Sequence, residues 1–397
     1  MTNDKTGNWV AGRPDFALIA LVIVLTLTGL VVVYSASFVK GLTDYGDGNY
    51  FIIRQLAWAM IGTILFVAGM RFNYQLLRPL AVPIIVLTLL LLVAVLAVGL
   101  RVNGAQRWIG VGAFTLQPAE FAKLSVIVYL AAWLEGRGDS LRSLQQGLLP
   151  FVLMLGMVGV LIMLQPSFGT TAIIVLITVT MFYVGGASYT QMGTLLVTGI
   201  VAGAILALGA GYRADRVTGF LNHGDDPAGA SFQVTQSVIA IGNGGIDGLG
   251  LGASRAKFFY IPESHTDGVF AILSEELGLI AGLSIMFLFI LFTLRGYQVA
   301  RRSRDQFGML IATGVTTWVI GQALLNIGGI SRTIPLTGVP LPFLSFGGNA
   351  LAAVMMASGV LINVSRYQTD KGGYLQRRRA APAAASHRII RRRRSHA

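Results

Sequence analysis

Apolar stretches of about 20 residues recur along this chain, and a helix of that length spans the hydrocarbon core of a bilayer. A bilayer offers no hydrogen-bond partners to the backbone, so each stretch must satisfy its own polar groups and is read as a helix. Ten such spans are predicted, at 16–37, 51–70, 79–100, 116–134, 147–164, 168–185, 190–210, 269–294, 307–327 and 341–364. Only 12% of the 397 residues are charged, about half the share usual in soluble domains, which excludes a soluble enzyme. The fold class expected is an all-α integral membrane protein, a bundle of about ten transmembrane helices with one large extracytoplasmic loop. Residues 147–185 are too long to cross once, and Gln165, Pro166 and Ser167 divide them into two helices. The first span is too long for a signal-peptide core and lacks a convincing cleavage site. The chain has no Cys, which excludes a disulfide scaffold and cysteine catalysis.

Basic residues set the expected orientation, because short loops rich in Lys and Arg stay cytoplasmic. With the N-terminus inside, 20 of the 30 Lys and Arg residues fall on the cytoplasmic side and 8 outside, while Arg54 and Lys123 lie within spans. The predicted organisation is a cytoplasmic N-terminal tail at 1–15, a membrane domain at 16–366 and a basic cytoplasmic tail at 367–397. The tail reads as a disordered anchor for anionic lipid. It lacks the interleaved aromatics of a nucleic-acid binder. The long external loop at 211–267 has an apolar middle at 234–241, expected to dip into or pack on the bundle. No internal repeat is visible.

Several polar residues stand where a bilayer makes them expensive. Glu120 and Lys123, three apart in the fourth span, share a helix face and can pair, either to fix packing or to meet a polar substrate. Glu263, His265 and Asp267 alternate just before the eighth span. They can be read as a metal site, as a cap in which Thr266 or Asp267 starts the next helix, or as a base at Asp267 that a helix N-terminus keeps ionised. The adjacent Glu275 and Glu276 cannot face the same way, so at least one needs a donor inside the bundle or in a wet groove. Arg107, Arg213, Arg216, Arg255, Lys257 and Arg332 lie on the outer face against the sidedness rule, which points to an anionic ligand there or to scattered solvated charge. The glycine-rich run GNGGIDGLGLG at 242–252 lacks a phosphate-loop lysine, so nucleotide binding is rejected. An enzyme outside the membrane works without ATP and needs a substrate with its own leaving group. A lipid-linked pyrophosphate sugar meets that need.

The ordered motifs YSAS at 34–37, NGAQRWI at 103–109, LQPAEFAK at 116–123, QPSFGT at 165–170, QVTQSVIAIGNGG at 233–245, PESHTD at 262–267 and PLTGVPLPFLSFGGNA at 335–350 resemble the SEDS (shape, elongation, division and sporulation) family of FtsW and RodA. The resemblance covers nearly the whole membrane part. It implies a glycosyltransferase that polymerises lipid II into peptidoglycan on the outer face of the cytoplasmic membrane, with both termini cytoplasmic. By motif position, Asp267 matches the family's loop aspartate, the expected base. Arg107, Gln117, Glu120, Lys123, Gln233, Gln236, Lys257, Glu263, His265 and Ser345 fall in motifs around the family's central cavity, where substrate would bind. The resemblance further implies a class B penicillin-binding transpeptidase as partner, among other divisome or elongasome membrane proteins. No cofactor is expected, and a divalent-cation requirement is left open. Ser167, Ala119, Gly268 and Asn349 depart from the family pattern. The LPFLSFGG stretch, the NVSR ending and the basic tail lean towards the division type over the elongation type.

Overall fold

In the computed structural model, residues 11–102, 105–111, 114–208 and 230–368 are described. Arg213, Arg216 and most of the basic tail lie outside them. Ten long helices form the bundle among the described residues: α1 Phe16–Tyr45, α2 Tyr50–Arg71, α3 Leu77–Val98, α4 Pro118–Arg137, α5 Leu149–Met163, α6 Phe168–Gly185, α7 Tyr189–Leu208, then, beyond the shorter α8 Ala230–Asn243, α9 Val269–Arg302, α10 Gln306–Ile330 and α11 Gly348–Ser365. Eight of them are long and apolar enough to cross a membrane. α4, outside those eight, carries Glu120, Lys123, Glu135 and Arg137. The chain is a multi-pass, all-α membrane protein.

The helix ends follow from local chemistry. Asp15 starts α1 by accepting the N–H groups of Ala17 at 3.0 Å and Leu18 at 3.2 Å, and left-handed Gly46 ends it, eight residues beyond the apolar stretch. Pro118 opens α4, since a first-turn N–H needs no helical partner. α5 and α6 meet at the break predicted around Pro166, where the buried Gln165 amide donates to the Leu92 carbonyl of α3 at 3.1 Å.

α10 and α11 form the centre, with 83% and 89% of their spanning windows buried, against 28% for α2 and for α3. α11 crosses α2 closely because Gly62, Gly69 and Gly359 leave no side chain between the backbones; a Cβ at Gly359 would overlap the Phe66 carbonyl. Both ends of the described chain lie at one face, where the Gly12 N–H donates to the Arg366 carbonyl at 2.7 Å. The opposite face, called here the loop face, carries everything that positions the site.

Three features of the loop face differ from the sequence expectation. Three short strands, β1 Leu100–Val102, β2 Ala105–Val111 and β3 Phe114–Leu116, form an antiparallel sheet in the order β1-β2-β3. The span expected to begin at 341 begins at Gly348, because residues 341–347 fold into a loop whose Leu341 N–H bonds the Ser345 hydroxyl at 2.8 Å. α9 is broken at Gly278, whose φ of 76° suits glycine. Into that break fits the 245–250 turn: Leu249 donates to the Glu275 carbonyl at 3.0 Å, and Leu279 donates to that of Gly245 at 2.9 Å. The apolar middle of the long loop is α8, which packs on α9 and α10.

Candidate active site

Asp267 ends the PESHTD motif, two residues before α9 and half-buried at the loop face. Its backbone carbonyl accepts the Asn326 side-chain amide of α10 at 3.0 Å, and the same amide nitrogen reaches the Val339 carbonyl at 2.8 Å. The loop is closed by Gly268, whose N–H donates to the Glu263 carbonyl at 2.9 Å. The N-cap position of α9 is Gly268, which has no side chain to cap the helix. The Thr266 hydroxyl turns back to the Glu263 carboxylate at 2.9 Å, because the loop puts that acceptor within reach. Asp267 sits two residues before the first turn of α9.

His265 is buried, with Phe51 of α2 and Phe346 at ring-centroid distances of 4.6 and 5.4 Å. Burial, aided by the nearby Lys40 cation, pushes its pKa down to about 3, so the imidazole is neutral. Its backbone carbonyl accepts the Phe346 N–H at 2.8 Å. Gln55, buried on α2, clasps the same segment from the other side, donating to the Ser345 carbonyl at 3.2 Å and accepting the Gly347 N–H at 3.3 Å. Glu263 lies 4.0 Å from Lys40. The three alternating residues therefore point into different surroundings, and among the described residues no group of three His, Asp or Glu could hold a metal ion.

Below this rim, Lys123 donates to Glu120 at 2.8 Å and to the Gln322 carbonyl oxygen of α10 at 3.0 Å, both charged side chains being almost fully buried. Trp318 completes the surroundings, with its ring centroid 4.8 Å from the ammonium and its indole N–H on Gln322 at 2.8 Å. The Gln322 amide nitrogen then donates to the Pro340 carbonyl at 2.8 Å. Gln322 and Asn326, one turn apart on α10, thus hold the adjacent carbonyls of Pro340 and Val339, and join the charge pair to Asp267.

The other expected residues divide. Arg107 on β2 donates to the Gln165 carbonyl at 2.9 Å and to that of Pro166, fixing the sheet over the α5–α6 break. Gln117 precedes α4, and its N–H bonds the Asn349 side chain at 3.1 Å. The Ser345 hydroxyl is committed to its own loop. Gln233 and Gln236 are half-buried on α8. Lys257 was expected among the external cations, but it is buried, because Glu276 needs a counter-charge inside the bundle: its ammonium meets Glu276 at 3.0 Å, Ser35 at 3.3 Å and the Gly252 carbonyl at 2.6 Å. Arg255 remains exposed and Lys40 half-buried on this face. Sequence reasoning missed Asn326, Gln322 and Gln55. Amides four residues apart inside an apolar span were a usable signal, since polar groups there rarely lack a partner.

Residues 16–370 match the family model of the FtsW, RodA and SpoVE cell cycle proteins. The chain belongs to that family. Stage V sporulation protein E of Bacillus subtilis (strain 168) is 41% identical to this FtsW/RodA/SpoVE-family chain over 369 residues, covering 92% of it and 99% of the relative. The probable peptidoglycan glycosyltransferase FtsW of Trichlorobacter lovleyi is 37% identical over 356 residues, 88% of this chain and 93% of that protein. Among solved structures, a chain described under "Structural coordination of polymerization and crosslinking by a peptidoglycan synthase complex" superposes with a TM-score of 0.73 at 29% identity, covering 90% of this chain and 99% of that one. RodA of Thermus thermophilus gives 0.67 at 25% identity with the same coverage.

Proposed function

We propose that this family member is a peptidoglycan glycosyltransferase that polymerises lipid II at the outer face of the cytoplasmic membrane, with Asp267 as the general base. The observation that carries the reading is the placement of Asp267: a half-buried carboxylate, pinned through its carbonyl at the rim of the bundle, joined by hydrogen bonds to the buried Glu120–Lys123 pair. In the reaction, a sugar hydroxyl of one substrate attacks the anomeric carbon of the other. The bond to the pyrophosphate oxygen breaks, and the hydroxyl proton passes to Asp267. The polyprenyl pyrophosphate leaves as an anion, which cations of the loop face such as Arg107 and Lys40 are suited to steady. One base and one stabilised leaving group suffice for such a displacement. The proposed displacement is written without a cofactor, and a divalent cation that neutralised the leaving group would make the activity sensitive to a chelator.

The excess of Lys and Arg supports placing both termini in the cytoplasm. The similarity to a chain of a peptidoglycan synthase complex supports a crosslinking partner, taken to be a class B penicillin-binding transpeptidase alongside other division proteins. The relatives named FtsW support a division role, whereas the 41% identity to stage V sporulation protein E favours, as a second reading, the same chemistry at a sporulation stage. Purified protein with its transpeptidase should convert lipid II into long glycan, and Asp267→Ala should lower the rate by about 10²–10⁴-fold. A folded Asp267→Ala protein that polymerises normally refutes the base. Labelled lipid II that crosses liposomes unchanged, with no glycan formed, would assign the chain to transport instead.

A further inference from the structure

Asn326 combines three properties that packing alone does not require. It is 2% exposed in the last turns of α10, surrounded by apolar helix. Its amide nitrogen bonds two carbonyls from segments far apart in sequence, Asp267 and Val339. Because both partners are carbonyls, the amide can face only one way, so its oxygen is fixed on the other side. That oxygen is buried and has no hydrogen-bond partner among the described residues. A buried acceptor without a donor is costly, and sequences tolerate one where something other than stability is being served.

The geometry points to Asn326 as the positioning residue of the polymerisation reaction, setting where the Asp267 backbone, and with it the carboxylate, sits relative to the substrate. This rests on the reading of Asp267 as the base. The other bonds to this loop act elsewhere along it. Glu263 closes the loop on Gly268 by a local bond, and Phe346 holds it at His265, two residues upstream. Asn326 is the bond to Asp267 itself that comes from a rigid central helix. Gln322, one turn earlier, holds the next carbonyl, Pro340, and takes its own orientation from Lys123 and Trp318. The two amides therefore set the height of the 339–340 segment and of Asp267 against the same helix face.

The absence of Cys gives a direct reporter, because Asp267→Cys places a single thiol in the whole chain. The full-length protein, with its transpeptidase, is prepared as Asn326→Leu and as the near-isosteric Asn326→Asp, which loses the donors. Each is assayed with lipid II for kcat and KM, and each is combined with Asp267→Cys for the rate of modification by a charged maleimide. A displaced base should lower kcat by about 10²-fold with little change in KM, since misplacement of about 1 Å has that effect on reacting groups. The maleimide rate at residue 267 should change several-fold at a temperature where the melting curve shows the protein folded. Asn326→Ser, which keeps one donor, should recover part of kcat. A structural role alone would lower the melting temperature and the folded yield, but not kcat per folded molecule or the maleimide rate. Wild-type kcat and modification rate in the folded Asn326→Asp variant overturn the proposal. If Asn326→Leu and Asn326→Asp both fail to fold, wild-type kcat in Gln322→Leu together with Asn326→Ser overturns it. Polymerisation that survives Asp267→Asn removes instead the base on which the proposal stands.

Discussion

Among the described residues two Lys–Glu pairs are buried in the bundle, and they are built differently. Lys257 and Glu276 come together across 19 residues of chain, and both are saturated. The ammonium uses three acceptors, while the carboxylate takes the Lys257 ammonium, the Ser35 hydroxyl at 2.7 Å and the Ser254 N–H at 3.3 Å. Glu275 next to it does the same work on the adjoining turn, accepting the Ser254 hydroxyl and the N–H of Ala256 at 3.2 Å. Lys123 and Glu120 share one helix turn, and among the described residues Lys123 is the one hydrogen-bond partner of the Glu120 carboxylate. A carboxylate can accept several hydrogen bonds, so Glu120 keeps capacity that Glu276 has lost. The saturated pair pins a loop to a broken helix; the Glu120 carboxylate keeps acceptor capacity that no described side chain besides Lys123 uses.

The comparison predicts its own failures. Breaking the saturated pair with Lys257→Met should destabilise by about 3–5 kcal/mol, because it strands a buried carboxylate, and Lys257→Met with Glu276→Gln should recover much of that loss. Thermal melting in detergent measures both, and polymerisation per folded molecule should follow the wild type in the double variant. Applied to the other pair, Glu120→Gln with Lys123→Met should likewise restore folding but leave polymerisation at least about 10-fold down, since charges facing a reaction are not replaced by neutral groups. Equal activity in the two double variants would remove the distinction. The smallest effect concerns the buried imidazole of His265. Its pKa lies below the unfolded value of about 6.5, so its stabilising contribution is complete above pH 6.5 and is lost as the pH falls from there towards about 3. Melting temperature should decline over that window in the wild type and decline less in His265→Phe; parallel curves would refute a buried neutral imidazole.

The break around Pro166 and the start of α1 at Asp15 could be read directly, since proline, capping residues and apolar length act over a few neighbours. The sheet at 100–116 could have been suspected from the Asn103–Gly104 dipeptide, a hairpin signal hidden between two strong spans. The loop at 341–347 could not, because its apolar residues read as helix while its backbone partners lie on α2 and beside Asp267. Lys257 looked like a surface cation for the same reason: its partner Glu276 is set by tertiary contact.

By itself, the sequence determined the bilayer as solvent, the all-α multi-pass class, the break around Pro166 and a short set of polar residues that a bilayer would not tolerate without purpose, because hydropathy and helix signals are local. Only the tertiary structure decided which of those residues meet. It paired Lys257 with Glu276 inside the bundle, and it brought Asn326 to the carbonyl of Asp267, because a hydrogen bond between groups 59 residues apart depends on how the helices pack and on nothing in either segment alone.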